Sequence, residues 1–409
     1  MTHHGLFAAA LLCATASTAF AQTFEQAPGT KIKIDLAAMP VPYSPPSPAN
    51  PPRTITRPAG AMPKAMEGYN VNLFAENLAD ARNLITAPNG DVFLAASGEG
   101  KIMVLRDADG DGKAEKVETF ADGFAAPFGI AVGKDFVLIG DTVAVWRFPY
   151  KAGDMKAIAK AQQVTKDGAL MDPGGHSTRA VTLHPDGSKF YVSIGSRGNI
   201  NEEPEPRATI QEFKLDGSAQ RTYATGLRNA VGTAFYPGTT DIYTVVNERD
   251  GLGEELVPDY LTKVVDGGFY GWPYSYMGKN PQPKFADKRP DLVAKAIVPD
   301  TPFRSHSAPV GLTFSTGNVF PKEFQGGAFV GLHGSWNAAQ ARGYHLVYVP
   351  WVNGKPADHY IVFLSGFWSQ GEKKAEVWGR PAGVAMAKDG SLLVADDVAN
   401  IVWRVSAKK

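Results

Sequence analysis

The sequence holds one cysteine, Cys13, and it falls inside the first twenty residues. If that segment is removed as a leader, the mature chain has neither thiol nor disulfide. A chain of 409 residues can bury a large core without covalent staples, so the lack is tolerable. There is no C-x-x-C-H, which excludes a covalently attached c-type haem. Net charge is missing as well: 41 Lys and Arg balance 41 Asp and Glu. That balance argues against a general nucleic-acid binder and against a polybasic membrane anchor. After Gln22 no apolar run is long enough to span a bilayer, so no transmembrane segment is expected.

Glycine and proline, by contrast, are plentiful, with 43 and 30 residues. Many short strands joined by turns suit that composition better than long helices. Leu6 to Leu12 is apolar, and Ala19-Phe20-Ala21 before Gln22 is a small-x-small cleavage pattern. Residues 1–21 are therefore expected to be a signal peptide and the protein periplasmic or secreted, although a buried N-terminal helix would look similar. Leu12 before Cys13 is too large for a lipoprotein cleavage box. Residues 22–67 carry Pro40, Pro42, Pro45, Pro46, Pro48, Pro51, Pro52, Pro58 and Pro63. Such a stretch cannot fill a sheet interior or a helix, and is expected to be an extended arm or spacer.

From residue 68 to the end one pattern recurs. A small or Pro-containing lead precedes a short apolar strand, a turn and a second apolar strand. The copies begin near residues 85, 130, 181, 233, 312 and 384. Asn89-Gly90, Asp186-Gly187 and Asp389-Gly390 are strong hairpin turns between alternating apolar residues. Two more strands follow the pair, as in KIMVLRD with KVETFAD. Spacings of one to two units of ~40–50 residues predict an all-β fold, a six-bladed β-propeller. A β-sandwich would not show copied hairpins along so long a chain. The strand Ile401–Val405 is placed to close the ring beside an N-terminal strand.

In a propeller the residues before each first strand and after each second strand lie at one mouth of the central channel. Before the first strands stand Arg82 and Asn83, Pro127 and Phe128, His176 and Arg179, Arg228 and Asn229, His306 and Pro309, and Arg380. After the second strands come Ser196 and Arg197, Asn247 to Asp250, His333, Ser335 and Trp336, and Asp396 and Asp397. Several arginines around one opening suit a ligand with several carboxylates or phosphates. Histidine is suited to move a proton near neutral pH, and His176, between Gly174-Gly175 and Ser177, is the prime candidate. Arg197 has an alternative role, pairing with the acidic run Glu202, Glu203 and Glu205, and His184, His345 and His359 read as structural or surface residues.

Asp107, Asp109 and Asp111, followed by Gly112 and then by Glu118, match a calcium-loop spacing. The segment lies between strands rather than helices. A structural Ca²⁺ and an acidic solvated turn both remain open for it.

Several motifs together carry a family resemblance. They are Gly174-Gly175-His176-Ser177, Gly226-Leu227-Arg228-Asn229, NERDGLGEELVPDYL from Asn247, Tyr270-Gly271-Trp272-Pro273, His333-Gly334-Ser335-Trp336 and Gly379-Arg380-Pro381. From about residue 68 onward the chain resembles the soluble glucose/sorbosone dehydrogenases, nearest their sorbosone-dehydrogenase-like branch. These are propeller enzymes that use pyrroloquinoline quinone (PQQ) and Ca²⁺. The resemblance implies that His176 is the general base, assisted by Arg228. It implies that Arg228, Asn229 and Arg380 contact the cofactor, with Arg82 and Trp336 beside them at the same mouth. It also implies that the loop Glu248, Arg249, Asp250 holds Ca²⁺ through backbone oxygens. The chain departs from the family in having Glu248-Arg249-Asp250 where glucose dehydrogenases have Gln-Gly-Pro, and Ala382 where they have a second arginine.

The expected activity is oxidation of an aldose, a sugar aldehyde or a related polyol, with electrons leaving to an external acceptor, a quinone or a cytochrome. Two other readings stay open: a metal-dependent propeller hydrolase of the lactonase type, and a non-catalytic binding propeller. A hydrolase would line the mouth with Asp, Glu and Asn rather than with Arg and His.

Overall fold

A computed structural model describes residues 26–371 and 373–408; the expected leader and Cys13 lie outside the described residues. The chain is nearly all-β, and no helix among the described residues is long and apolar enough to cross a membrane.

Six sheets follow one another along the described chain, each built on four antiparallel strands in order. The first uses Ala81–Thr86, Val92–Ala96, Lys101–Arg106 and Lys116–Asp122. The second uses Gly129–Val132, Phe136–Gly140, Val145–Pro149 and Gln162–Gln163. The third uses Val181–Leu183, Lys189–Ile194, Thr209–Lys214 and Arg221–Thr225, and the fourth Ala230–Phe235, Ile242–Val246, Tyr260–Lys263 and Thr301–Pro302. The fifth uses Pro309–Phe314, Ala328–Leu332, His345–Val349 and Tyr360–Ser365. In the sixth, Pro381–Met386, Leu392–Asp396 and Ile401–Ala407 are joined by Tyr69–Ala75 from the other end of the described chain. That pairing, Val405 opposite Val71 and Ala407 opposite Tyr69, closes the circle.

The first strands contact one another in a closed cycle from the first sheet round to the sixth and back. Close backbone approach is needed there: a Cβ on Gly383 would lie 2.6 Å from Cα of Asn83. Six apolar clusters lie one between each pair of consecutive sheets. The sixth packs on the first through Leu393 and Val402 against Leu84 and Leu94, and the fifth on the sixth through Phe329 and Phe363 with Trp403. Alternation along each strand serves both neighbours at once, which is why second strands such as Val92–Ala96 are buried throughout. A smaller cluster, Phe128, Ala180, Val231, Val310 and Ala382, draws one residue from the start of each of five first strands or from just before it, and closes one end of the central channel. Ala382, fully buried there, is part of an apolar floor. This is what the chain has where the glucose dehydrogenases have their second arginine.

The proline-dense segment starts and ends on the outer edge of the fifth sheet. Lys31–Ile32 and Lys64–Ala65 both pair with Tyr360–Ser365. Between them it crosses the loops at one end of the ring, and Arg53–Thr54 runs parallel to Glu376–Val377.

Candidate active site

Antiparallel pairing places the start of each first strand opposite the end of the second, as in Ala230 opposite Val246 and Pro309 opposite Leu332. The loops flanking those positions therefore meet at one end of the ring. Those of the third, fourth and fifth sheets enclose a cavity of about 190 Å³. His176, Arg228, Asn229, Asn247, Glu248, Asp250, Asp259, His306, Ala308, Trp336 and Asn337 line it.

His176 is half-buried on the loop before Val181–Leu183. Its backbone N–H donates to the Ser196 carbonyl at 3.0 Å, and its Nδ1 lies 2.8 Å from the same oxygen. A carbonyl only accepts, so Nδ1 carries the hydrogen and Nε2 keeps its lone pair. Burial, and then the Arg228 charge, push the imidazole pKa down to about 4. At neutral pH His176 is thus a neutral base with a fixed tautomer. Gly195 permits its position: a Cβ there would lie 2.6 Å from both the His176 Cβ and the Asn229 Oδ1.

Arg228 is buried and organises the loops. It donates from Nη1 to the Glu248 carbonyl at 2.7 Å, and from Nε and Nη2 to Asn199. Asn199 ties the remaining strands of this knot. Its Oδ1 accepts from the Asp250 N–H at 2.9 Å, its Nδ2 donates to the Asp250 carbonyl at 2.8 Å, and its own carbonyl accepts from Trp272 Nε1 at 2.9 Å. Asp250 faces Arg228 at 3.7 Å and His306 Nδ1 at 3.3 Å. Burial alone would raise the Asp250 carboxyl, but these partners hold it below the usual range. Burial alone would likewise lower His306; Asp250 and the Gly253 carbonyl, 3.1 Å from Nε2, outweigh it and raise the pKa. With an acceptor on each ring nitrogen, His306 is suited to the imidazolium form. Asp259 joins the Glu248 and Ala308 loops by accepting both backbone N–H groups, at 2.7 and 2.8 Å. Its burial pushes its pKa up to about 7.

The residues singled out in the sequence divide into groups. His176, Arg228, Asn229, Glu248, Asp250 and Trp336 come together around the cavity. Arg249 does not line it: its side chain turns inward, fully buried, to Glu248 Oε2 at 2.9 Å and Gln282 Oε1 at 3.0 Å. Arg82 and Arg380 gather instead around His333 and Asp397. Arg380 donates to the carbonyls of His333 and Gly334 at 2.8 and 3.0 Å, while Arg82 pairs with Asp397. His333 Nε2 lies 2.9 Å from the Asp397 carboxylate. This cluster adjoins the cavity through the chain from Gly334 to Trp336. An opening dominated by Arg and His is therefore corrected for the cavity itself, where Asn, Asp and Glu outnumber them. The cations were displaced because backbone carbonyls and Asp397 claim them.

The acidic loop also needs one correction. Asp107, Asp109 and Asp111 converge, but the fourth carboxylate is Glu115, all four ligand atoms lying within 4.8 Å of one another. Glu118 lies on the strand Lys116–Asp122 and pairs with Lys156 at 3.0 Å. A helical exit would bring the twelfth position back to the loop; an extended strand carries it away at ~3.3 Å per residue. Glu203 binds the backbone N–H of Arg197 and Gly198, each at 2.7 Å. Asn199 and Asn337 were missed, since a lone amide in a polar loop has no sequence signal; Asp259 lies inside the NERDGLGEELVPDYL motif, where a carboxylate in the apolar run Leu256–Leu261 was a signal not taken up. His306 was noted at the mouth but given no role.

A family model described as TrAA12-like matches residues 63–263 and 276–408. An uncharacterised protein of Borreliella burgdorferi is 28% identical over 362 residues, 85% of this chain and 91% of that protein. A pyrroloquinoline quinone-dependent pyranose dehydrogenase of Coprinopsis cinerea is 24% identical over 403 residues, 82% of this chain. The chain spans about half of that enzyme's length, 53%. Among solved structures, the holo PQQ domain of pyranose dehydrogenase from Coprinopsis cinerea matches with a TM-score of 0.73 at 20% identity. It covers 87% of this chain and 99% of that domain.

Proposed function

The chain belongs to the TrAA12-like family, and from that membership we propose that it is a six-bladed propeller dehydrogenase that uses PQQ and Ca²⁺. Its substrate is an aldose, a sugar aldehyde or a related polyol, and its electrons pass to an external quinone or cytochrome. The sequence motifs favour the sorbosone-dehydrogenase-like branch. The blade count is supported by the cycle of six four-stranded sheets. Export to the periplasm or the medium is supported by the apolar run Leu6–Leu12 and the cleavage pattern ending at Ala21.

The observation that carries the proposal is a neutral, tautomer-fixed His176 in a cavity whose lining residues hold buried polar atoms without a protein partner. Those atoms are Asn229 Oδ1 and Glu248 Oε1. Each such atom costs on the order of 1–3 kcal/mol unless a ligand completes it. The donor set fits an anionic, carbonyl-rich cofactor with a hard cation. Arg228, Asn229 and Trp336 would hold PQQ, while Arg380 and Arg82, engaged by loop carbonyls and Asp397, would reach it only by exchanging those partners. The carbonyls of Glu248, Arg249 and Asp250 would hold Ca²⁺; two of them already accept one hydrogen bond and keep a second lone pair. When bound, PQQ supplies the two-electron hydride acceptor and Ca²⁺ polarises its carbonyl. His176 Nε2 takes the substrate hydroxyl proton. Burial lowers the His176 pKa, Arg228 lowers it further, and Arg228 also fixes the loop that carries Asp250.

The test mixes purified protein with PQQ and Ca²⁺, adds an aldose panel and follows reduction of an artificial electron dye. Absence of both dye reduction and PQQ binding sinks the proposal. The acid- and amide-rich lining of the cavity favours one alternative, metal-dependent lactone hydrolysis. Hydrolysis of a lactone panel with Ca²⁺ alone would support that reading instead.

A further inference from the structure

Arg179 and Arg207 bind the loop that carries His176, and neither pairs with a carboxylate among the described residues. Arg179 is fully buried just before the strand Val181–Leu183. Its Nη1 donates to the His176 carbonyl at 2.9 Å and to the Thr178 carbonyl at 3.0 Å, and its Nη2 to the Leu170 carbonyl at 3.1 Å. Arg207 is buried just before Thr209–Lys214 of the same sheet. Its Nη1 donates to the Gly174 carbonyl at 3.1 Å and reaches the Gly195 carbonyl at 3.4 Å, while its Nη2 donates to the Asp172 carbonyl. Every second carbonyl from Asp172 to Thr178 thus accepts from one of the two guanidinium groups.

The loop has little else to hold it. It contains no strand or helix, and Gly174 and Gly175 sit at φ of +138° and +64°. From 172 to 178 the one backbone-to-backbone hydrogen bond is that of the His176 N–H with the Ser196 carbonyl. The two arginines are an expensive substitute. Asp141 acts on Arg179, and Glu203 and Asp172 act on Arg207, only from a distance. The Nε of each is buried without a partner. Burial, and then the Arg207 charge, push the Arg179 pKa down to about 10, which leaves it a cation at neutral pH. Burying two like charges without a counter-ion opposes folding, and folds break such rules mainly at functional sites.

We infer that Arg179 and Arg207 are positioning residues for His176: they replace the missing backbone pairing of 172–178 and hold the imidazole on Ser196 with Nε2 free. The inference rests on the reading of His176 as the base. A planar guanidinium that stays charged can span two or three carbonyls at once, which a lysine cannot. Arg207 also links the loop to Gly195, the residue whose bare Cα leaves room for the His176 side chain. Its charge acts on the imidazole in the same sense as burial and Arg228, against Asp250, and so favours the neutral base.

Nitrogen NMR of the apo full chain, labelled in its histidines, reads the base without turnover; the His176 signals are those lost in His176→Ala. The parent should show one tautomer at neutral pH, with Nδ1 protonated and Nε2 bare. Arg179→Met and Arg207→Met remove a buried charge and keep most of the volume, so the melting temperature should hold or rise. In both variants the His176 signals should broaden or move toward a mixture of tautomers. With PQQ and Ca²⁺ loaded, kcat should fall ~10²-fold while KM and PQQ binding stay unchanged. Where a Met variant does not fold, the Lys variant at the same position keeps the cation, loses the fork and carries the same test. A parent-like His176 spectrum in the variants, undiminished kcat, or a loss of kcat that only tracks a lower melting temperature overturns the inference. A change of tautomer in the variants of a parent that never reduces dye with PQQ and Ca²⁺ sinks the dehydrogenase reading and leaves the positioning of His176 standing.

Discussion

Removing the His176 imidazole should lower kcat/KM of the PQQ- and Ca²⁺-loaded protein by roughly 10²–10⁴-fold, the usual contribution of a positioned general base. The pH profile is the sharper measurement. An exposed histidine titrates near 6.5, whereas burial and Arg228 bring His176 down to about 4. That depression opposes the protonated form by on the order of 3 kcal/mol. Because the neutral form is the base, activity should persist as pH falls through 6.5 and be lost only as it falls through about 4. The same shift has a consequence for stability. Between pH 6.5 and 4 the unfolded chain binds a proton at this residue that the folded chain refuses. The contribution of His176 to stability is therefore complete above 6.5 and is lost as pH drops toward 4. Initial rates of dye reduction across this range, at constant ionic strength and with a dye that does not titrate there, give the acid limb. The His176→Ala variant should still bind PQQ. An acid limb at 6.5 refutes the burial argument, and undiminished turnover in His176→Ala removes the base role.

Gly195→Ala would place a methyl 2.6 Å from both the His176 Cβ and the Asn229 Oδ1. It should cut turnover about 10²-fold with an unchanged circular dichroism spectrum; normal rates would show that the two side chains can move apart freely. Trp403→Ala strikes the closing sheet, where the indole is fully buried, donates to Asp396 at 3.1 Å and meets Trp378 edge-on at 6.0 Å. A loss of about 3–5 kcal/mol in denaturant unfolding is expected, and a loss below ~1 kcal/mol would mean that the ring does not depend on this closure. Calcium added to chelated protein at ~100 times its Kd should stabilise the fold by about 2.7 kcal/mol if the Asp107 loop binds it. Asp109→Asn should remove that share of the gain, leaving the share of the Glu248–Asp250 loop, while dye reduction persists; a calcium gain equal to that of the parent chain identifies the Asp107 loop as an acidic turn.

Local rules determined much of this protein. Asn89-Gly90, Asp186-Gly187 and Asp389-Gly390 make tight turns between alternating apolar residues, so the repeated hairpin is written in neighbouring residues. Its recurrence named the loops that face one another, and with them His176, Arg228, Asn229 and Trp336. That Ile401–Val405 closes the ring beside an N-terminal strand was expected from the sequence; that the partner is Tyr69–Ala75 was decided by the tertiary structure. Tertiary structure decided the direction of each side chain. Arg249 turns inward because Glu248 and Gln282 outcompete solvent for its guanidinium. Arg380 and Arg82 are claimed by loop carbonyls and Asp397. Glu115 displaces Glu118 because the chain leaves the acidic loop as a strand. Asn199 becomes a hub, and Asn50 reaches the Trp336 loop, through contacts between residues about 50 to nearly 290 positions apart. Periodicity along the chain carries the fold because strands and turns are short-range. It cannot carry the site, because partner choice there depends on which polar groups burial has left without water.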